Sequence, residues 1–267
     1  MLRKITVYLI CVVSLAGILN FRSYSAAYVN SKSVRSYIKN GITMVSVRDF
    51  FNAAGEYEIL WNTDTKTAEI KGDKFTMYVY SDKAYSLANG RGLCRYITNE
   101  NRESTLYFPL TVGARALGLE VSWNAKTKSA SASGKIKVIE KAENYYNSKD
   151  LQYLARIIEA ESGAEPFFGK IAVGNVVLNR VKNIEFPNTI KDVIYDEKYG
   201  VQFTPVANGS INNTPGKESI IAAKCTLDGF CISGDILYFL NPKIAKSLWI
   251  VDNRKFAFTI GTHDFYL

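Results

Sequence analysis

The sequence predicts an α+β protein of two domains behind an apolar leader, on three observations. Residues 148–182 carry apolar side chains at helical spacing. Residues 44–72 and 107–134 repeat one pattern of short helix and alternating strands, and residues 236–267 change to short aromatic and β-branched runs. At 267 residues the chain is long enough for two cores.

In the leader, Arg3 and Lys4 precede an apolar run from Ile5 to Leu19, followed by small residues at Ser23, Ser25, Ala26 and Ala27. This is the pattern of a cleavable signal peptide over residues 1–27. The run is shorter than the ~20 residues of a membrane span. No later segment reads as one, so the mature chain is expected to be secreted and to span no membrane. Lys and Arg number 33 against 25 Asp and Glu. Losing the leader removes Arg3, Lys4 and Arg22 but no acid, and the modest basic balance that remains suits work near anionic polymers. Basic runs interleaved with aromatics are missing, as are zinc and helix-turn-helix patterns. Together with export, this argues against nucleic acid as a partner. His263 is the only histidine and no cysteine–histidine cluster has ligand spacing, so neither a metal nor another cofactor is expected. Cys11 leaves with the leader. Of the remaining Cys94, Cys225 and Cys231, the last two lie close enough for a local bridge, but isolated buried thiols suit a chain this long better.

Each copy of the doubled pattern runs from an apolar start through a short helix to a glycine, Gly55 or Gly118. A strand then reaches Trp61-Asn62 or Trp123-Asn124, and a Thr/Lys turn leads into an alternating strand. Two such units predict one domain over residues 28–140. Both glycines fit the left-handed position after a helix, and both tryptophans read as core anchors on strands. The second copy, Phe108-Pro109-Leu110 through Leu117-Gly118 to Trp123-Asn124, resembles the repeat named after the N-terminal domain of copper amine oxidases. The resemblance implies a stalk that spaces or attaches, and without a histidine in these residues it implies no copper. Residues 135–149 read as a last strand plus connector, with the boundary near 140–148.

In residues 148–267, Ser148 is a candidate N-cap, and Leu151, Leu154, Ala155 and Ile158 form an apolar stripe. Glu161 falls at the margin of that stripe and Glu159 nearly opposite, toward solvent. Glu161 is then either a solvated residue at a fraying helix end or a half-buried carboxyl that keeps its proton and can act as an acid. Ser162-Gly163 breaks the helix, and a second helix around Gly169–Lys182 is apolar nearly all round, as in a core. Pro215 marks another helix start. DILYFLNP, SLWIV, FAFTIG and HDFYL read as strands of a small antiparallel sheet.

The run EAESGAEPFFGKIAVGNVVLNRVKN, followed in order by FPNTIKDVIYD, QFTPVANG, LYFLNP, Trp249 and GTHDFY, resembles the SleB-type cell-wall hydrolases over residues 150–267. The resemblance implies a lysozyme-like helical catalytic domain with a small antiparallel sheet, spanning residues 148–267. It implies a lytic transglycosylase that acts on peptidoglycan glycan strands with no cofactor, expected here as a monomer at the cell wall. The family's catalytic glutamate lies in a Gly-Glu-Ala-Arg-Gly-Glu-Pro run, which falls on Glu161. Ala160, Ser162 and Gly163 depart from its Gly-Glu-Ala-Arg part, and the arginine is missing. Glu165, Gln202, Phe203, Tyr238, Asn241 and His263 are the candidate substrate-binding residues, with Trp249 beside them. Each has a plainer reading: the aromatics as core, Asn241 as a turn residue, His263 as a local hydrogen-bonding group. A hydrolytic muramidase would need a second carboxylate, of which Glu165 is the nearest. A wall-binding protein without catalysis is the third reading.

Overall fold

The protein is described here from a computed structural model covering residues 26–198, 202–245 and 247–267. The signal peptide read over residues 1–27 lies outside the described residues except for Ala26 and Ala27. These two open strand β1, and Ala27 is fully buried opposite Ala130. The first folded domain therefore starts two residues before the predicted boundary, because its first strand needs Ala27 in the core.

The N-terminal domain contains β1 (Ala26–Val29), β2 (Lys32–Val34), β3 (Ser36–Lys39), β4 (Ile42–Ser46) and α1 (Val47–Ala54). It continues through β5 (Glu58–Asn62), β6 (Thr67–Gly72), β7 (Phe75–Tyr80), β8 (Tyr85–Ala88) and β9 (Arg91–Cys94). It closes with β10 (Glu100–Arg102), β11 (Thr105–Pro109), α2 (Leu110–Leu117), β12 (Glu120–Asn124) and β13 (Ser129–Ser133). At its centre β4 and β11 pair antiparallel, Ser46 opposite Tyr107, Val45 opposite Phe108 and Met44 opposite Pro109. Each of these strands runs straight into a helix, so the Val45–Phe108 pair marks a local two-fold relation between the units β3–β4–α1–β5–β6 and β10–β11–α2–β12–β13. Both hairpin turns hold a lysine at positive φ, Lys66 and Lys128.

The core inside these units is aromatic. Phe50, Phe51 and Phe108 are fully buried, with ring centroids 5.2–6.1 Å apart, and burying each such ring contributes about 1.5–3 kcal/mol. The two tryptophans are not part of it. Trp61 is 43% and Trp123 52% exposed, each paired across its hairpin with a small, buried alanine that leaves part of the indole uncovered. Gly118 takes the expected left-handed conformation (φ 67°), and a side chain there would meet the Lys137 carbonyl. Gly55, with φ 173°, is extended and free of that constraint. Residues 135–141 form no strand of a sheet. They run extended along α2, where the Lys137 and Ile139 amides donate to the Leu117 and Ala116 carbonyls, and lead into α3 (Ala142–Tyr145).

The C-terminal half comprises α4 (Ser148–Ser162), α5 (Phe167–Lys182), α6 (Ile190–Ile194), α7 (Thr204–Ala207), α8 (Lys217–Leu227), β14 (Tyr238–Leu240), α9 (Trp249–Asn253), β15 (Phe256–Ile260) and β16 (His263–Tyr266). The N-cap of α4 is Asn147, one residue before the predicted Ser148, and its side chain accepts from the Lys149 and Asp150 amides. Leu154, Ile157 and Ile158 press α4 onto α5, whose Ile171, Val173, Val176 and Val177 are also fully buried, and α8 packs on both helices. The final strands form an antiparallel sheet in the order β14–β16–β15. SLWIV, read as a strand, is instead part of helix α9. Glu159 does not face open solvent either. Its carboxylate accepts the Gly216 N–H at 3.0 Å, just ahead of α8, where the positive end of a helix favours an anion.

The two halves meet along the β8–β9 hairpin. Tyr85 and Cys94 belong to the C-terminal core, and Gly92 lies so close to the Cys225 backbone that any side chain there would collide. Cys94, Cys225 and Cys231 are all free thiols. Burial, with Cys94 beside it across the junction, pushes the Cys225 thiol up.

Candidate active site

Glu161 lies in the last turn of α4, on the margin of its buried face, as the helical spacing predicts. Burial pushes its carboxyl up to about 7, against a smaller opposing pull from Arg180. It makes no hydrogen bond or ion pair with the described residues. A carboxyl that is desolvated yet free of partners is half protonated near neutrality and can give its proton to something that enters.

Glu165 stands in the opposite condition. Its oxygens accept both the Thr262 N–H, at 2.9 Å, and the Thr262 hydroxyl. Burial acts to raise its pKa, but the Thr262 bonds together with His263 and Lys170 outweigh this and hold the group below the usual carboxylate range. The loop that grips it needs Gly261, which sits at φ +61° and has no room for a side chain beside the Glu165 carboxylate. Asn241 Nδ2 donates to the same Thr262 hydroxyl at 3.0 Å, and the Lys170 ammonium donates to the Glu165 carbonyl at 2.6 Å. His263 Nδ1 is 3.7 Å from Glu165 Oε1, beyond a hydrogen bond. Burial depresses the His263 pKa despite that carboxylate, so the ring is neutral at neutral pH and packs edge-on to Phe239.

Arg180 is the element the sequence reading did not single out. It sits near the end of α5 with its guanidinium among the rings of Phe186, Phe203 and Tyr238, at 4.9, 5.3 and 5.5 Å. Its Nε donates to the Leu237 carbonyl at 2.8 Å, while its Nη1 is buried without a partner. Burial lowers it to about 10, still charged at neutral pH. The signal was available: an arginine within the largely apolar run 171–181 must meet a special environment, since a buried cation is costly unless paired.

The predicted binding residues divide. Glu165, Asn241 and His263 are brought together around Thr262. Tyr238 and Trp249 are brought together by Arg254, whose guanidinium lies 4.6 and 4.9 Å from their rings and donates to the Tyr238 hydroxyl at 3.0 Å. Trp249 is 51% exposed, open for stacking. Gln202 is half-exposed just before α7. Phe203 is a correction: at 2% exposure it backs the Arg180 guanidinium from inside the core and cannot stack on a ligand, because α7 begins at Thr204 and turns the ring inward.

Residues 164–266 match the family model described as cell wall hydrolase, and residues 26–132 match that of the copper amine oxidase N-terminal domain. Residues 164–266 are thus similar to cell wall hydrolases. That match starts at Ala164, three residues beyond Glu161. The chain is 38% identical over 122 residues to a spore cortex-lytic enzyme of Bacillus cereus and 32% identical over 120 residues to that of Bacillus subtilis. These alignments cover 46% and 45% of this chain and 46% and 38% of the relatives, so the chain spans less than half the length of either. The chain is also similar to the solved catalytic domain of the germination-specific lytic transglycosylase SleB from Bacillus anthracis. That likeness is at 38% identity, covering 46% of this chain and 98% of that one, with a TM-score of 0.42.

Proposed function

We propose that the cell wall hydrolase domain, read as residues 148–267 with a lysozyme-like plan, cleaves peptidoglycan glycan strands outside the membrane as a lytic transglycosylase. The observation that carries this reading is Glu161, a desolvated carboxyl at the end of α4 with nothing bonded to it. Protonated Glu161 gives its proton to the oxygen between N-acetylmuramic acid and N-acetylglucosamine. The resulting carboxylate then takes the proton of the muramyl 6-hydroxyl as that oxygen closes on the anomeric carbon. One group serves as acid and base, no water is consumed, and the product ends in an anhydro-muramyl ring. Arg180 steadies the transient carboxylate by charge. In this route Glu165, each of whose oxygens accepts from Thr262, is a positioning group rather than a second catalytic carboxylate.

No helix among the described residues is long and apolar enough to cross a membrane. Digested peptidoglycan, weighed by mass spectrometry, should yield fragments with anhydro ends. Fragments one water heavier would reject the transglycosylase route in favour of a muramidase.

The pH profile is a second check. Because Glu161 must start protonated and its pKa is pushed up to about 7, kcat/KM should be flat at mildly acid pH. It should then fall about tenfold per pH unit above neutrality. A rate that climbs between pH 7 and 9 would remove Glu161 from the acid role.

A further inference from the structure

Two surface pockets of about 380 Å³ each lie in the N-terminal domain, away from Glu161, within the ~300–1,000 Å³ range of small-ligand sites. The first is lined by Trp61, Ala68, Val47, Arg48 and Ser104, the second by Trp123, Ala130, Thr111, Arg95 and Gly41. They correspond through the two-fold relation of the repeat. Each has a tryptophan from one hairpin, the alanine paired opposite it, the first turn of the same unit's helix, and a turn contributed by the other unit. In detail, α1 and the β10–β11 turn flank Trp61, while α2 and the β3–β4 turn flank Trp123. Because the alanine opposite each indole is small, one edge of the ring is left uncovered, and about half of each tryptophan faces water.

Each pocket also carries a cation without a carboxylate partner among the described residues. Arg48 is exposed and unpaired. Arg95 donates only to the Thr111 hydroxyl, at 3.1 Å, and the Cys94 carbonyl, at 3.2 Å. An exposed indole beside hydroxyls and an unpaired guanidinium suits a ring with an apolar face, polar edges and a carboxylate nearby. Two such sites of one design on one rigid domain suit a ligand that repeats.

Resting on the catalytic reading above, we propose that these pockets are paired subsites for uncut glycan strand, an amino-sugar polymer bearing lactyl and peptide carboxylates. The N-terminal domain then holds the polymer that the C-terminal domain cuts. Occupying both pockets by one strand makes the second contact intramolecular and raises overall binding well above that of either site.

The test uses the chain with Glu161→Gln, sedimented with insoluble peptidoglycan stripped of polyol-phosphate polymers. Trp61→Ala and Trp123→Ala should each weaken binding about tenfold, the double variant further, and Trp→Tyr at either position should restore most of it. In a Trp249→Phe background, soluble glycan chains should quench the fluorescence of the two indoles, a readout that does not depend on how the alanine variants fold. Unchanged binding by the double variant, absence of quenching, or binding only to walls that retain polyol phosphate would each overturn the proposal. Fragment release by the unsubstituted chain reports on the catalytic reading separately, so either idea can fail without the other.

Discussion

Glu161→Gln is expected to abolish release of peptidoglycan fragments, by roughly a thousandfold or more, while the fold persists. The amide is nearly the same size, sits in the same half-buried position and cannot deliver a proton. On the proposed route, removing Glu161 forfeits the acid step, worth about 10²–10⁴ in rate, and the base step with it. The stability side has a definite sign. In the folded chain Glu161 holds its proton up to about pH 7, whereas unfolded it titrates near its ordinary value of 4.5. Between those values the folded state binds more protons than the unfolded, so stability falls as pH rises through the window and stays lower above it. The amide has no such titration. The variant should melt with the parent at pH 4.5 and no earlier than the parent at pH 8. Retained cleavage would sink the assignment. Early melting at pH 8 would mean the carboxylate makes a stabilising contact in the fold.

How far the sequence carried depended on periodicity. Leu154, Ala155 and Ile158 placed α4 and put Glu161 on its buried margin, because helical spacing alone sets which face a residue takes. The repeated Trp-Asn hairpins were equally legible, since each copy corroborates the other. What failed were readings that need a partner from elsewhere in the chain. Glu159 points away from the α4 stripe, but the Gly216 amide arrives from 57 residues on. Phe203 is aromatic in a matched segment, yet only the position of Arg180 shows that its ring is used from behind. Trp61 and Trp123 look like core anchors until the alanines opposite them are known. The grip of Thr262 on Glu165 joins residues 97 apart through a turn that only Gly261 permits, and no local pattern reports such closure. SLWIV shows the remaining ambiguity, because a short apolar run reads the same as strand or helix.

The junction between the domains should dominate stability, and Asp228 is where it is most concentrated. Its carboxylate, fully buried, accepts from Arg91, from Arg115 at 3.1 Å and from the Tyr146 hydroxyl, while the Arg115 guanidinium also reaches its carbonyl at 2.8 Å. Arg91 is itself buried beneath the Tyr145 ring. Tyr146 extends the network by accepting the Gly92 N–H at 3.1 Å. Asp228→Ala leaves Arg91 charged and unpaired in a dry site, which costs about 3–5 kcal/mol, or a fall in melting temperature of about 10 °C for a protein of this size. Replacing Arg91 and Asp228 together by Met and Leu should recover most of that loss, because a well-packed apolar pair avoids desolvating two charges. Thermal unfolding of the single and double variants decides it. If the double variant is as unstable as Asp228→Ala, lost packing and not the stranded cation holds the halves together. The consequence reaches the site: Tyr85 and Tyr96, on either side of β9, pack against Phe167 and Phe168 at 4.8 and 5.3 Å. These rings open α5 directly after Glu165 and Pro166, so a loosened junction releases the segment that follows Glu161. The domain read from sequence as a stalk thereby supports the C-terminal half, and on the proposed function cleavage by Asp228→Ala should decline with temperature well before the parent's does.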